Sequence, residues 1–203
     1  MARFHRKTAP GVRDGQTRAK NNWKRSANWY SDPPHRLVIA RHRPGEGYRH
    51  VLLKRDIERF VKLIPKWGAL AIGLDVIVLA SGGTSCDAWY NRGVIGICAW
   101  PTNLRYGVNA EWYRGHRDFL DRIGARCEGD NPDDMVIHWT LGTVRAYQLC
   151  HLLLHELGHH RDRMSTRTKQ DNGPRGEDFA EDFAWELECE VLERYFNEFG
   201  YSD

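Results

Sequence analysis

The 203 residues are 41% hydrophobic, enough apolar side chain for one domain with a sizeable core, and the formal net charge of +3 points to no particular partner. The five cysteines are odd in number and include no C-x-x-C pair, which argues against a disulfide framework or a cysteine zinc knuckle and for a reducing compartment. No run of 18 apolar residues occurs and the start, Met-Ala-Arg-Phe-His-Arg-Lys, has no apolar signal core, so a cytoplasmic protein is expected, with no membrane contact.

Charge is unevenly spread. Residues 1–49 hold 12 Lys/Arg against 3 Asp/Glu, whereas residues 164–203 hold 4 against 11. Residues 1–35 lack apolar periodicity and read as a basic, flexible arm before a domain spanning 36–203. In that arm Trp23, Trp29 and Tyr30 interleave with Lys24 and Arg25, which suits a nucleic-acid backbone with stacked bases; a solvated tail with docked aromatics is the commoner use. Leu37 to Ala40 reads as a short strand before the turn at Pro44 to Gly47. Apolar residues at 52, 53, 57, 60, 61 and 64 predict a helix over 51–64, stopped by Pro65. Leu74 to Ala80 and Val94 to Trp100 read as strands, and the connection over 81–93 is turn-rich and long for a tight hairpin. Asn109 is placed to cap a helix reaching about Ile123, and Met135 to Thr140 reads as another strand.

Gly142-Thr143 opens the stretch that carries the chemistry, expected as a buried helix ending in the basic run Arg161 to Lys169. From Val144 to Leu157 apolar residues fall on nearly every face, yet the run ends within His155-Glu156-Leu-Gly-His159. Residues four apart share a helix face, so His155 and His159 can present ring nitrogens to one ion. Glu156, one residue round, can reach a water on that ion rather than the ion itself. Such H-E-x-x-H spacing is the pattern of zinc peptidases. Zinc brings its water's pKa toward neutrality, and the carboxylate takes the proton as the water attacks a carbonyl. The bland alternative is a core helix with satisfied histidines, but charges in an apolar helix are costly unless something pairs with them. His151, one turn earlier, is expected packed or hydrogen-bonded; His160 projects about 100° away from His159 and is expected to be peripheral.

Asp171 to Gly176 is a break, followed by Phe179, Ala180, Phe183, Ala184, Leu187, Val191, Tyr195, Phe196 and Phe199 at helical spacing. Glu177 and Glu181 share another face, as do Asp178 and Asp182. Acids in a first turn also suit the helix dipole, so capping or a solvated face is the alternative. A catalytic zinc takes three protein ligands and keeps one position open. The pattern H-E-x-x-H-x-x-G-x-x-H is absent, because Asp162 and Ser165 stand where its Gly and last His belong. A downstream glutamate remains.

On these residues the chain resembles the gluzincin metallopeptidases, which combine H-E-x-x-H with a downstream Glu. The stretches His155 to Asp162 and Glu177 to Ala184 are similar to the catalytic domains of anthrax lethal factor-like toxins. They are similar also to the E-x-x-A-x-x-F-A helix of metallopeptidases that cut phage and stress repressors. The likeness covers about the last 60 residues. It implies one Zn2+ on His155, His159 and Glu177, with Glu156 as general base. Glu181 stands where thermolysin-type enzymes carry an aspartate that hydrogen-bonds a ligand histidine, and this departure keeps Glu181 open as the ligand itself. Asp162 then orients a ligand or anchors the basic loop. Such families add a Tyr or His that steadies the oxyanion; Tyr90, Tyr147 and His160 are the candidates. By the same analogy a sheet edge pairs with an extended substrate, and Val94 to Trp100 is the expected edge.

The expectation is therefore a small α+β, zincin-like domain: an active-site helix, a second ligand-bearing C-terminal helix and a short mixed sheet. Its expected activity is zinc-dependent hydrolysis of peptide bonds in a peptide or protein substrate. The rival reading is a zinc-stabilised binding or regulatory protein without turnover, associated with nucleic acid through the basic arm. A deformylase-type site ranks lower, since neither Cys86 nor Cys98 has the setting of its upstream cysteine ligand.

Overall fold

A computed structural model describes residues 12–13, 16–17, 36–83, 86–131, 134–166 and 175–201, and shows a mixed α+β architecture. The expected arm over 1–35 lies outside the described residues, apart from the short antiparallel pair of β1 (Val12–Arg13) and β2 (Gln16–Thr17). Among the described residues no helix is long and apolar enough to cross a membrane.

The centre is a four-stranded mixed sheet of order β3 (Val38–Arg41), β5 (Val76–Ala80), β7 (Val94–Cys98), β6 (Ala88–Asn91). Its β-branched strands alternate between two cores. Ile77, Leu79, Ile95 and Ile97 face the main core, while Val76, Val78, Val94 and Cys98 join Cys86 and Trp89 in a smaller one. A sheet buried on both faces reads as continuous apolar runs, which is how β5 and β7 appear in sequence.

Two expectations are corrected here. The connection over 81–93 contains β6 itself, which returns into β7 through a two-residue turn at Arg92 and Gly93. Both have positive φ (44° and 86°), the left-handed pair of a tight hairpin, with Arg where Asn or Asp is the usual residue. Second, Val94 to Trp100 is not a sheet edge. β7 lies between β5, parallel, and β6, antiparallel; the edges are β3 and β6, and Trp100–Pro101 (β8) leaves to pair with Tyr48–Arg49 (β4).

The predicted helix over 51–64 is shorter, α1 (Lys54–Phe60), followed by turns and the single turn α2 (Trp67–Leu70). β9 (Arg105–Val108), β11 (Met135–His138) and β10 (Arg126–Glu128) form an antiparallel sheet in the order β10, β11, β9. Between β9 and β10 runs α3 (Ala110–Arg122), capped as expected by Asn109, whose side chain accepts from Trp112 N at 2.8 Å.

The chemistry-bearing stretch is not uniformly α-helical. α4 (Leu141–Tyr147) starts from reciprocal Thr140 and Thr143 caps, widens into a π-helical segment over Gln148–Leu153, and resumes as α5 (Leu154–Thr166). The wider turn sits directly before His155, and π-helical insertions of this kind are frequent at functional sites. Gln148 anchors it to the sheet by donating Nε2–H to Cys98 O at 2.9 Å.

The last element, α6 (Glu177–Phe199), packs against α5 at very close range. A Cβ on Gly158 would stand 2.8 Å from Ala180 Cα and 3.0 Å from its carbonyl oxygen. Only glycine allows the two backbones to meet there.

Candidate metal centre

His155 and His159 lie one turn apart on α5, and Glu177 opens α6 opposite them. Because α6 runs back along α5, successive α6 acids meet successive α5 histidines: Glu177 reaches His159 and His155, and Glu181 reaches His155. Asp162 fixes where α6 begins. Its side chain, 3% exposed, accepts from Arg175 Nε at 2.8 Å and from Gly176 N at 3.2 Å, so Glu177 starts the helix beside the histidines. Arg175 also lies over the Phe179 ring, 3.5 Å from its centroid.

His155 Nε2 is 3.3 Å from Glu177 Oε2, and His159 Nε2 is 3.3 Å from Glu177 Oε1. These two contacts go to different oxygens of Glu177, and one ligand atom from each of the three residues lies within 4.8 Å of the others, which leaves room for a divalent ion. His155, His159 and Glu177 are thus able to hold a metal. His155 Nδ1–H donates to Glu181 Oε2 at 2.9 Å, which leaves Nε2 as the ligand nitrogen. Burial alone would raise the Glu181 carboxyl, but the hydrogen bond from His155 and the neighbouring His151, His155 and His116 bring it down to about 2. It is a carboxylate at any working pH. Glu156 is on the same turn and buried, whereas His159 and Glu177 keep 14% and 21% of their side chains open.

A second set of contacts continues from Glu181. Its Oε1 lies 3.7 Å from His116 Nε2 and 3.9 Å from His151 Nε2, and those two nitrogens are 3.1 Å apart. His151 Nδ1 pairs with Glu188 Oε1 at 2.7 Å, and His116 Nδ1–H donates to Trp112 O at 2.9 Å. Burial, with His151 adding, pushes His116 down to about 4; burial, with the Glu181 charge adding, pushes Glu188 up to about 8.

Sequence reading placed His151 as packed or hydrogen-bonded and passed over His116 and Glu188. Glu188 had a signal, since it falls seven residues after Glu181 and so on the same face. His116, on another helix, had none.

The three oxyanion candidates are engaged in the fold. Tyr90 hydroxyl accepts from Gly93 N at 3.0 Å and meets His160 Nδ1 at 3.1 Å; His160 Nε2–H donates to Ile72 O at 2.9 Å, so Nδ1 takes the tyrosine proton. His160 is fully buried rather than peripheral. Tyr147 is buried against Trp100, Trp112 and Trp139 and stacks on His151, with ring centroids 5.2 Å apart. The five cysteines all stand as thiols, and Cys86 and Cys98 bring their sulfurs to 3.9 Å.

Compared with family models, with curated proteins and with solved structures, the chain matches none of them.

Proposed function

We propose that this protein is a zinc-dependent peptide hydrolase with a zincin-like catalytic arrangement. The observation that carries this reading is the convergence of His155, His159 and Glu177 on one point, with Glu181 on the far nitrogen of His155. Zinc, when bound, supplies a Lewis acid that polarises a carbonyl and brings a water's pKa toward neutrality. The protein's part is to hold the ion on three side chains, two from α5 and one from α6. Glu181 fixes the tautomer and orientation of His155. Asp162 sets the start of α6 and with it the position of Glu177. Glu156 accepts the proton of the attacking water on its carboxylate and passes it to the leaving amine, a general acid–base contribution of about 100- to 10,000-fold. Glu156 is 1% exposed, and that burial keeps bulk water from competing for the proton.

The test is metal-dependent cleavage of a peptide library by the full chain, with chelation and zinc restoration as controls. Glu156→Gln should retain the wild-type zinc content and lose at least 100-fold in rate. Cleavage at the wild-type rate by that variant would remove the assigned mechanism. Tightly held zinc without cleavage of any library would leave a metal-stabilised binding protein instead.

A further inference from the structure

Three elements far apart in sequence bring metal-ligating side chains to a second point. His116 comes from α3, His151 from the π-helical segment and Glu181 from α6. His116 Nε2 and His151 Nε2 stand 3.1 Å apart, and Glu181 Oε1 lies 3.7 Å from the first and 3.9 Å from the second. The outer nitrogens of both rings are already engaged. His116 Nδ1 faces the Trp112 carbonyl at 2.9 Å, an oxygen that only accepts, so Nδ1 carries hydrogen and Nε2 presents its lone pair. His151 Nδ1 lies 2.7 Å from Glu188 Oε1; with Glu188 ionised, as a bound cation favours, this pairing leaves Nε2 as a ligand. Two imidazole nitrogens 3.1 Å apart repel one another unless a proton or a cation lies between them, and a cation would also draw in the Glu181 oxygen.

We propose that His116, His151 and Glu181 form a second divalent-cation site, oriented by Glu188 and the Trp112 carbonyl. Two imidazoles and one carboxylate suit zinc or a similar borderline ion rather than calcium or magnesium, which prefer all-oxygen shells. The two sites share Glu181 but not a ligand atom, since Oε2 of that residue goes to His155 Nδ1. A carboxylate and the His155 ring therefore stand between the two ions, unlike catalytic metal pairs, which sit about 3.5–4 Å apart. The second ion's work is mechanical: it ties α3 to the π-helical segment and to α6, and so steadies the partner of His155. The inference does not depend on the peptidase reading.

The experiment is the zinc content of the full chain after saturation and removal of loose metal, measured by elemental analysis. The wild type should hold two ions, His159→Ala one, His116→Ala one, and the combined variant none. His116→Phe keeps a ring against Trp112, where His116 now stacks with centroids 4.1 Å apart, and should also hold one ion; it separates ligand loss from misfolding. Wild-type zinc content in both His116 variants overturns the proposal, and a single proton then joins the two Nε2 atoms. One wild-type ion that is lost in the His116 variants and kept in His159→Ala supports the second site while removing the ion the peptidase reading needs.

Discussion

Glu188 lies on the Glu181 side of α6, against His151, and in the metal-free chain burial there raises its pKa from an ordinary 4.5 to about 8. The folded state therefore holds a proton that the unfolded state releases at lower pH. The stability this proton contributes is complete below about pH 4.5 and is lost as pH rises through 8. In metal-free protein, kept so by chelator, Glu188→Gln should gain on the wild type progressively between pH 5 and 9. A tenfold change in proton affinity is worth about 1.4 kcal/mol, so the gap should grow by a few kcal/mol. Urea midpoints of the two proteins across that range check it; parallel curves would mean Glu188 ionises freely in the fold. At this scale the sequence was partly legible. The i,i+4 spacing put His155 and His159 on one face, but Glu177 is preferred to Glu181 only through the family resemblance, because spacing on α6 alone does not say which histidine nitrogen each acid meets. The antiparallel crossing separates them: Glu177 contacts both Nε2 atoms and Glu181 contacts His155 Nδ1. His116 was not legible, since it reaches His151 across 35 residues.

Between elements, the contact that decides the site is the Gly158–Ala180 crossing. In an isolated helix Gly158→Ala would help by about 1 kcal/mol. Here the new Cβ would meet the Ala180 backbone at 2.8 Å, and backbone cannot swing aside as a side-chain end can. α5 and α6 must separate, so the variant should be less stable by about 1–3 kcal/mol. The same separation draws Glu177 and Glu181 from their histidines, so zinc affinity should fall together with stability. Denaturation and chelator competition on one preparation test both, and a neutral or stabilised variant with unchanged affinity would contradict the crossing. Helices α3 and α6 were readable from caps and stripes because their 3.6-residue periodicity holds throughout. The helix before His155 was readable as buried but not as π-widened over Gln148–Leu153: all six residues there are buried, so no polar face marks the change of pitch. The β6–β7 hairpin was missed for a local reason, the arginine at φ 44°.

Across the whole molecule, the long-range order is carried by a few convergences that local pattern does not encode. β5 and β7 announce themselves as apolar runs, but their parallel pairing, and the place of β6 outside them, follow from chain crossings rather than from composition. The His and Glu groups have the same character, because α3, the α4–α5 stretch and α6 join through polar side chains at a point where an apolar core would have needed no partner. Removing metal should therefore unfasten the fold as well as silence chemistry. An ion that binds only the folded chain stabilises it by about 2.7 kcal/mol at 100 times its dissociation constant and about 4.1 kcal/mol at 1,000 times. For a domain of this size each kcal/mol moves the melting temperature by about 2–4 °C. Chelation should lower Tm by about 5–15 °C, with zinc restoring it in a concentration-dependent way. His159→Ala should shrink the zinc-dependent shift, because it removes one of the two histidines proposed to hold an ion between α5 and α6. Calorimetry with and without chelator reads this directly, and a melting temperature indifferent to both zinc and chelator would mean that the histidines and glutamates are held by hydrogen bonds among themselves.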